Sequence, residues 1–168
     1  MHFAFTPDQL DIRDSVRSTL QESCSPLIVR QSWEQHPTHL WPLLAELGVL
    51  GLNAPESIEG LDMGAADWGL VQEEAGLFAL PEPLLETLAI LPFLVEAGLL
   101  DFAKQVVMGE ALVTLCVAQG YAVDADRAAL ILRVEKEQVF AIENPTLIPQ
   151  PSIDGSRRLF SVQGVGTP

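Results

Sequence analysis

Glu73 and Glu74 are the first residues that invite a chemical reading, because two carboxylates held together can divide acid and base roles between them. They are adjacent in a helical stretch, so they point to different sides of the helix and form no such pair. They read as ordinary helix residues. His36 and His39 stand three apart beside Trp33 and Trp41, which raises the question of a metal. Pro37 breaks the helix between them and no third ligand is in view. They read as surface or half-buried histidines at a helix junction, and no metal is expected. Gly60, Gly64 and Gly69 fall at loop and helix-end spacing, so no Gly-rich phosphate loop is present. Arg157-Arg158 is the only basic pair; it reads as a salt-bridge partner in an acidic chain rather than as a phosphate clamp. Cys24 and Cys116 lack metal-ligand spacing and read as packed thiols. No nucleophile–base arrangement can be assembled from so few candidates, and no catalytic residue is assigned.

Composition narrows the partners. The 168 residues carry 9 Lys and Arg against 23 Asp and Glu, a net charge of −14. The imbalance lies almost wholly in residues 1–110, where Arg13, Arg17, Arg30 and Lys104 are the only basic residues. Such a field repels phosphate backbones and anionic lipid heads, so neither nucleic acid nor a membrane surface is an expected partner. Hydrophobic residues make up 48% and the mean hydropathy is +0.26, but the longest apolar stretch, Leu88 to Leu100, falls short of the roughly 20 residues a bilayer span needs. The N-terminus shows no basic, apolar signal-peptide pattern, and a cytoplasmic location is expected.

The elements that position these residues follow from local signals. Thr6-Pro7-Asp8-Gln9 is a capping box with proline at the first helical position, and Leu10, Ile12, Val16 and Leu20 mark the helix's apolar face. Ser25-Pro26 opens a short helix through Trp33. A third runs from about His39 to Leu47 and ends at Gly48. Gly51 to Gly64 reads as loop, Ala65 to Leu77 as helix. Pro83 opens a helix to about Ala97, which Pro92 should kink or divide. Asp101 to Met108 is the last helix. After Gly109 the pattern changes to strands: Ala111–Ala118, a hairpin of Ala128–Val134 and Gln138–Ile142 around Glu135-Lys136-Glu137, and Leu159–Val162. Asn144 to Gly155 reads as loop. The fold class is α+β: an all-α helical bundle of about six helices over residues 1–110, then a small, incomplete antiparallel β domain over 111–168.

Particular phrases resemble one family. Phe5-Thr6-Pro7-Asp8-Gln9 leading into Arg13-Asp14-Ser15-Val16 is similar to the opening of acyl-CoA dehydrogenases. Trp41 to Glu56, followed by Gly60-Leu61, resembles the family's third helix and its Pro-Glu loop. Glu73-Glu74-Ala75-Gly76 with Leu80-Pro81-Glu82-Pro83-Leu84-Leu85-Glu86-Thr87 is similar to the next helix pair, and Gly109-Glu110-Ala111 to the entry of the β domain. The likeness then weakens. The family's Thr-Glu-Pro and Gly-Ser-Asp segment, which helps hold the flavin, is replaced by Val117 to Asp126. Val123–Leu132 and Asp154-Gly155-Ser156-Arg157-Arg158-Leu159 resemble later family stretches, as if a hairpin were deleted.

The resemblance implies FAD as cofactor and α,β-dehydrogenation of an acyl-CoA thioester. It also implies that the catalytic glutamate and part of the flavin site lie in a second helical bundle not found in residues 1–168. Leu84, Leu85 and Leu88 occupy the helix that lines the family's acyl tunnel, although leucines there equally read as core. Two functional readings stay open. One is a subunit active only with a second acyl-CoA dehydrogenase-like chain, as in members acting on steroid side chains. The other is a non-catalytic binding or scaffold subunit, without flavin or substrate, that self-associates.

Overall fold

The computed structural model describes residues 4–116, 120–135 and 138–167. Six helices come first: α1 (Pro7–Ser23), α2 (Pro26–Gln31), α3 (Leu40–Glu46), α4 (Ala65–Leu77), α5 (Leu84–Glu96) and α6 (Leu100–Val107). Seven strands follow: β1 (Val113–Cys116), β2 (Tyr121–Val123), β3 (Leu130–Glu135), β4 (Gln138–Ile142), β5 (Thr146–Gln150), β6 (Leu159–Gln163) and β7 (Gly166–Thr167).

The expected capping box starts α1. Thr6 N–H donates to Gln9 Oε1 at 2.8 Å, and Gln9 N–H donates back to Thr6 Oγ1 at 3.3 Å. Gln9 Nε2 also reaches Asp67 Oδ1 at 2.5 Å, Arg17 pairs with Glu74, and Cys24 Sγ lies 3.8 Å from Phe78 O. These contacts climb both helices in the same direction, so α1 and α4 run parallel. Their apolar faces meet in a core of Val16, Leu20, Leu40, Leu44, Leu50, Leu52, Val71, Leu84 and Leu88.

Between α3 and α4 the chain makes two 3-10 turns, Val49–Gly51 and Glu56–Ile58. Gly48 enters the first in the left-handed region at φ 73, which glycine adopts without a Cβ penalty. The loop then folds back on itself, with Leu61 N–H on Gly51 O at 2.9 Å and Asp62 N–H on Ala54 O at 2.8 Å. Gly60 lies so close beneath Ala54 that a Cβ there would sit 2.1 Å from its carbonyl oxygen. The loop glycine therefore serves backbone packing rather than phosphate binding.

Pro92 neither divides nor ends α5, which is continuous from Leu84 to Glu96. A proline inside a helix leaves the carbonyl four residues earlier without its N–H. That carbonyl, Leu88 O, accepts instead from Asn53 Nδ2 at 2.6 Å. A loop side chain thus supplies the donor that the helix lacks.

The strands form two sheets, ordered β1-β3-β4-β7 and β2-β6-β5. The expected hairpin is present as antiparallel β3 and β4; Lys136 and Glu137 of its turn lie outside the described residues, as do residues 117–119 after β1. Three details differ from expectation. β1 and β3 pair parallel, Val113 beside Leu130, because the chain leaves β1, forms β2 in the other sheet and returns, the crossover that parallel pairing requires. Residues 146–150 of the presumed loop form β5, whose Pro149 is tolerated because β5 is an edge strand. The short β2 and β7 carried too few residues to register as strands.

Alternation along β1 settles which face meets what. Val113 packs with α5 and α6, while Cys116 packs with Ile131, Ile142, Phe160 and Val162 between the sheets. Thr114 Oγ1, fully buried, donates to Val123 O at 2.7 Å and joins the sheets.

Candidate functional site

α5 lies against β1, but the first sheet is four strands wide. The helix-facing side of β3 and β4 therefore extends past the helices. Leu130, Leu132, Val139 and Ala141 form its floor, and Phe93, Leu94, Glu96, Ala97 and Leu99 from α5 and the turn after it form a wall; together they bound a cavity of about 540 Å³. Among the described residues Glu96 is its one charged lining residue. Phe93, Leu99 and Leu100, each more than two-fifths exposed, continue the apolar surface along the rim. This apolar concavity is open.

A second cavity, about 190 Å³, lies where α4 gives way to α5. Leu84 and Leu85 line it, with Gln72, Glu82, Asp154 and Arg157 as polar neighbours. Of the three leucines on the expected tunnel helix, Leu84 and Leu88 are 1% and 0% exposed in the core, while Leu85 is 47% exposed.

The remaining sequence candidates fall into structural roles. Glu73 is exposed and Glu74 is 2% exposed, so the two do diverge. Glu74 is not an ordinary surface position, however: Arg17 Nε and Nη2 grip its two oxygens at 2.9 and 2.5 Å. The hydrogen bond and charge of Glu74 raise the pKa of the Arg17 guanidinium. His39 Nε2 meets Ser23 O at 3.2 Å, whereas His36 is drawn inward to Glu82 and Arg127. Among the described residues no group of His, Cys, Asp and Glu is arranged to hold a metal ion. Arg157 pairs with Glu86 and Arg158 with Asp126, as expected of the basic pair. Cys24 and Cys116 are buried thiols, and burial, followed by the nearby Glu82, pushes the Cys24 thiol up.

The buried group around Glu82 escaped sequence reasoning. Its members, His36, Glu82, Asp124 and Arg127, come from three separate segments, and only Pro81 and Pro83 hinted that the link holding Glu82 was fixed in place.

A flavin dinucleotide would bring two phosphates, held by free cations or unpaired backbone donors. The described arginines fit that task poorly. Arg13, Arg17, Arg127, Arg133, Arg157 and Arg158 each pair with a carboxylate, and Arg30 stacks 4.1 Å from the Trp33 ring. The segment after β1, where the resemblance places flavin contacts, falls on residues 117–119, outside the described residues, and on the turn that follows.

Among the described residues no helix is long and apolar enough to cross a membrane. Residues 6–84 match the acyl-CoA dehydrogenase N-terminal domain. Acyl-CoA dehydrogenase IpdE2 of Mycolicibacterium smegmatis is 28% identical over 155 residues, covering 90% of this chain and 50% of the relative. The chain thus spans about half the length of the curated relatives it matches. In structure it is similar to the ChsE4-ChsE5 complex from Mycobacterium tuberculosis, with a TM-score of 0.79 at 17% identity, covering 99% of this chain and 57% of that one. It is also similar to an acyl-CoA dehydrogenase complexed with FAD from Bacillus anthracis, with a TM-score of 0.70 at 15% identity, covering 98% and 37%. The capped first helix, the Pro-Glu loop and the Pro81–Pro83 link all lie within the residues that match the acyl-CoA dehydrogenase N-terminal domain, and the fold as a whole, small β region included, is similar to that of solved acyl-CoA dehydrogenases.

Proposed function

We propose that this chain is one part of a flavin-dependent acyl-CoA dehydrogenase, active on an acyl-CoA thioester when a second acyl-CoA dehydrogenase-like chain covers its open face. The observation that carries this reading is the uncovered apolar side of β3 and β4. Two strands at about 4.8 Å spacing leave a strip near 10 Å wide, which is the diameter of one α-helix. An apolar strip of that kind stays soluble at a cost and marks an interface. The ChsE4-ChsE5 structure is a complex of two named components, which supports an unlike partner for this chain.

In this reading the partner brings the carboxylate that removes the proton beside the thioester carbonyl, since Glu74 is tied to Arg17 and Glu73 stands exposed on the surface of α4. FAD is taken up by the assembly, with the phosphates held by partner groups because the described arginines are already engaged. Of the three leucines on the expected tunnel helix, Leu85 presents its side chain outward and borders the acyl chain on this side, with Leu84 and Leu88 behind it in the core.

Purifying the chain alone and co-expressed with a second acyl-CoA dehydrogenase-like chain from its host tests this. The pair should co-elute and absorb at about 450 nm, the flavin band, while the chain alone stays colourless. Self-association without flavin, with or without the second chain, would favour a scaffold subunit instead.

A further inference from the structure

Glu82 sits in the link between α4 and α5, its carboxylate fully buried against the turn that joins β2 to β3. Arg127 of that turn donates from Nη1 and Nη2 to Glu82 Oε2, each at 3.1 Å. His36 Nε2 stands 3.1 Å from the other oxygen, Oε1, and Arg127 Nη1 also closes on that same ring nitrogen. The two neighbours make opposite demands. Accepting from Arg127 requires a lone pair on Nε2, while donating to Glu82 requires a proton there. One nitrogen cannot do both.

When Nε2 accepts from Arg127 it carries no proton to give Glu82. Glu82 Oε1 and His36 Nδ1 are left without hydrogen-bond partners. Both carboxylate oxygens of Asp124, a residue 1% exposed on the same turn, are also without partners. Two buried carboxylates face one guanidinium, leaving one negative charge in excess, and buried unpaired charge is costly. A single proton cancels it. On Asp124, whose two oxygens have no partner, it removes the charge directly, the proton coming from solvent and returning there.

We propose that His36, Glu82, Asp124 and Arg127 form a one-proton latch that docks the β2–β3 turn onto the helices, closed while it holds the proton and loosened when the proton is lost. The other charged groups facing it are Arg158, paired with Asp126, and the Cys24 thiol. Burial raises Asp124 above the ordinary carboxylate range, Glu82 adding to the rise, while Arg127, His36 and Arg158 oppose it. A group whose pKa is raised by folding contributes stability that is complete below its unfolded value. That stability is lost as pH climbs through the folded value. The latch therefore weakens with rising pH, opposite to the behaviour of a salt-bridged carboxylate.

Urea unfolding of the chain from about pH 4, where an unfolded aspartate titrates, upward to about pH 9 tests the latch, since one linked proton changes the folding constant by up to about tenfold per pH unit. The wild type should lose stability as pH rises. Asp124→Asn keeps a residue type that tolerates the left-handed backbone at φ 50 and leaves Glu82 and Arg127 balanced, so its profile should be flatter. Equal pH slopes in both proteins would overturn the proposal. Hydrogen exchange on the wild type reads the same event without a variant. The amides of Asp124 and Ala129, bonded to Arg158 O and Leu112 O, should lose protection with rising pH while those of α1 keep theirs. Parallel loss in both regions would overturn it equally.

Discussion

The helical and strand regions are closed by different means. α1, α3, α4 and α5 bury a continuous aliphatic core, with polar pairs such as Glu74 with Arg17 and Leu88 O with Asn53 at its edge. The strand region has a smaller core between its sheets and meets the helices through apolar packing of β1 and β3 on α5 and α6 and through two charged fastenings, Arg127 to Glu82 and Arg157 to Glu86. One face of its larger sheet is left apolar and open. A region that seals its own core is stable by itself. A region fastened by titratable contacts, with an apolar face left over, has its stability set by pH and by whatever covers it.

Substitutions can break that contrast, the strongest in the helical core. Leu88 is fully buried, and Leu88→Ala should cost about 3–4 kcal/mol in urea unfolding, the lost transfer energy plus a cavity. Gly60→Ala comes next at about 2–3 kcal/mol, because the new Cβ would meet backbone that must move as a unit. Asn53→Ala should cost about 1–2 kcal/mol by orphaning Leu88 O opposite Pro92. Substituting Pro92→Ala in that background restores the helix's own donor and should recover most of the loss. If it does not, the Asn53 bond is not the reason α5 tolerates its proline.

How much was legible in the sequence follows the same division. The helices were read well because their signals are local: Thr6 with Gln9, Gly48 and Pro83 mark boundaries within one turn. Pro92 left a kink or a break open, and the donor that meets the carbonyl it orphans sits on Asn53, 35 positions away from Leu88. β5 was hidden by its prolines, because whether a proline is allowed depends on the strand being at an edge, a property of the assembled sheet. The groove was not legible at all. It exists because one sheet is wider than the helices that cover it. The Glu82 group likewise depends on which side chains three distant segments bring together.

Smaller effects sharpen the comparison. Ala79, just past the end of α4, holds φ 49, a conformation glycine occupies more cheaply. Ala79→Gly should stabilise the chain by about 0.5 kcal/mol in urea unfolding, with glycine's larger unfolded entropy offsetting part of the gain. A loss of stability would mean the Ala79 methyl group, which borders the smaller cavity, packs usefully there.

The smallest stability change is expected on the open face, where it discriminates most. Phe93 and Leu99 are 44% and 46% exposed, so Phe93→Ser with Leu99→Ser should shift unfolding by less than about 0.5 kcal/mol. The same pair of changes places two hydroxyls on the rim of a strip that a partner helix must dehydrate. Each buried hydroxyl without a partner costs about 1–3 kcal/mol, so co-elution with the second chain should weaken by at least tenfold. Intact co-elution would move the interface elsewhere. Marked destabilisation of the isolated chain would instead show that the strand region uses this face for its own folding, and that it seals itself as the helical core does.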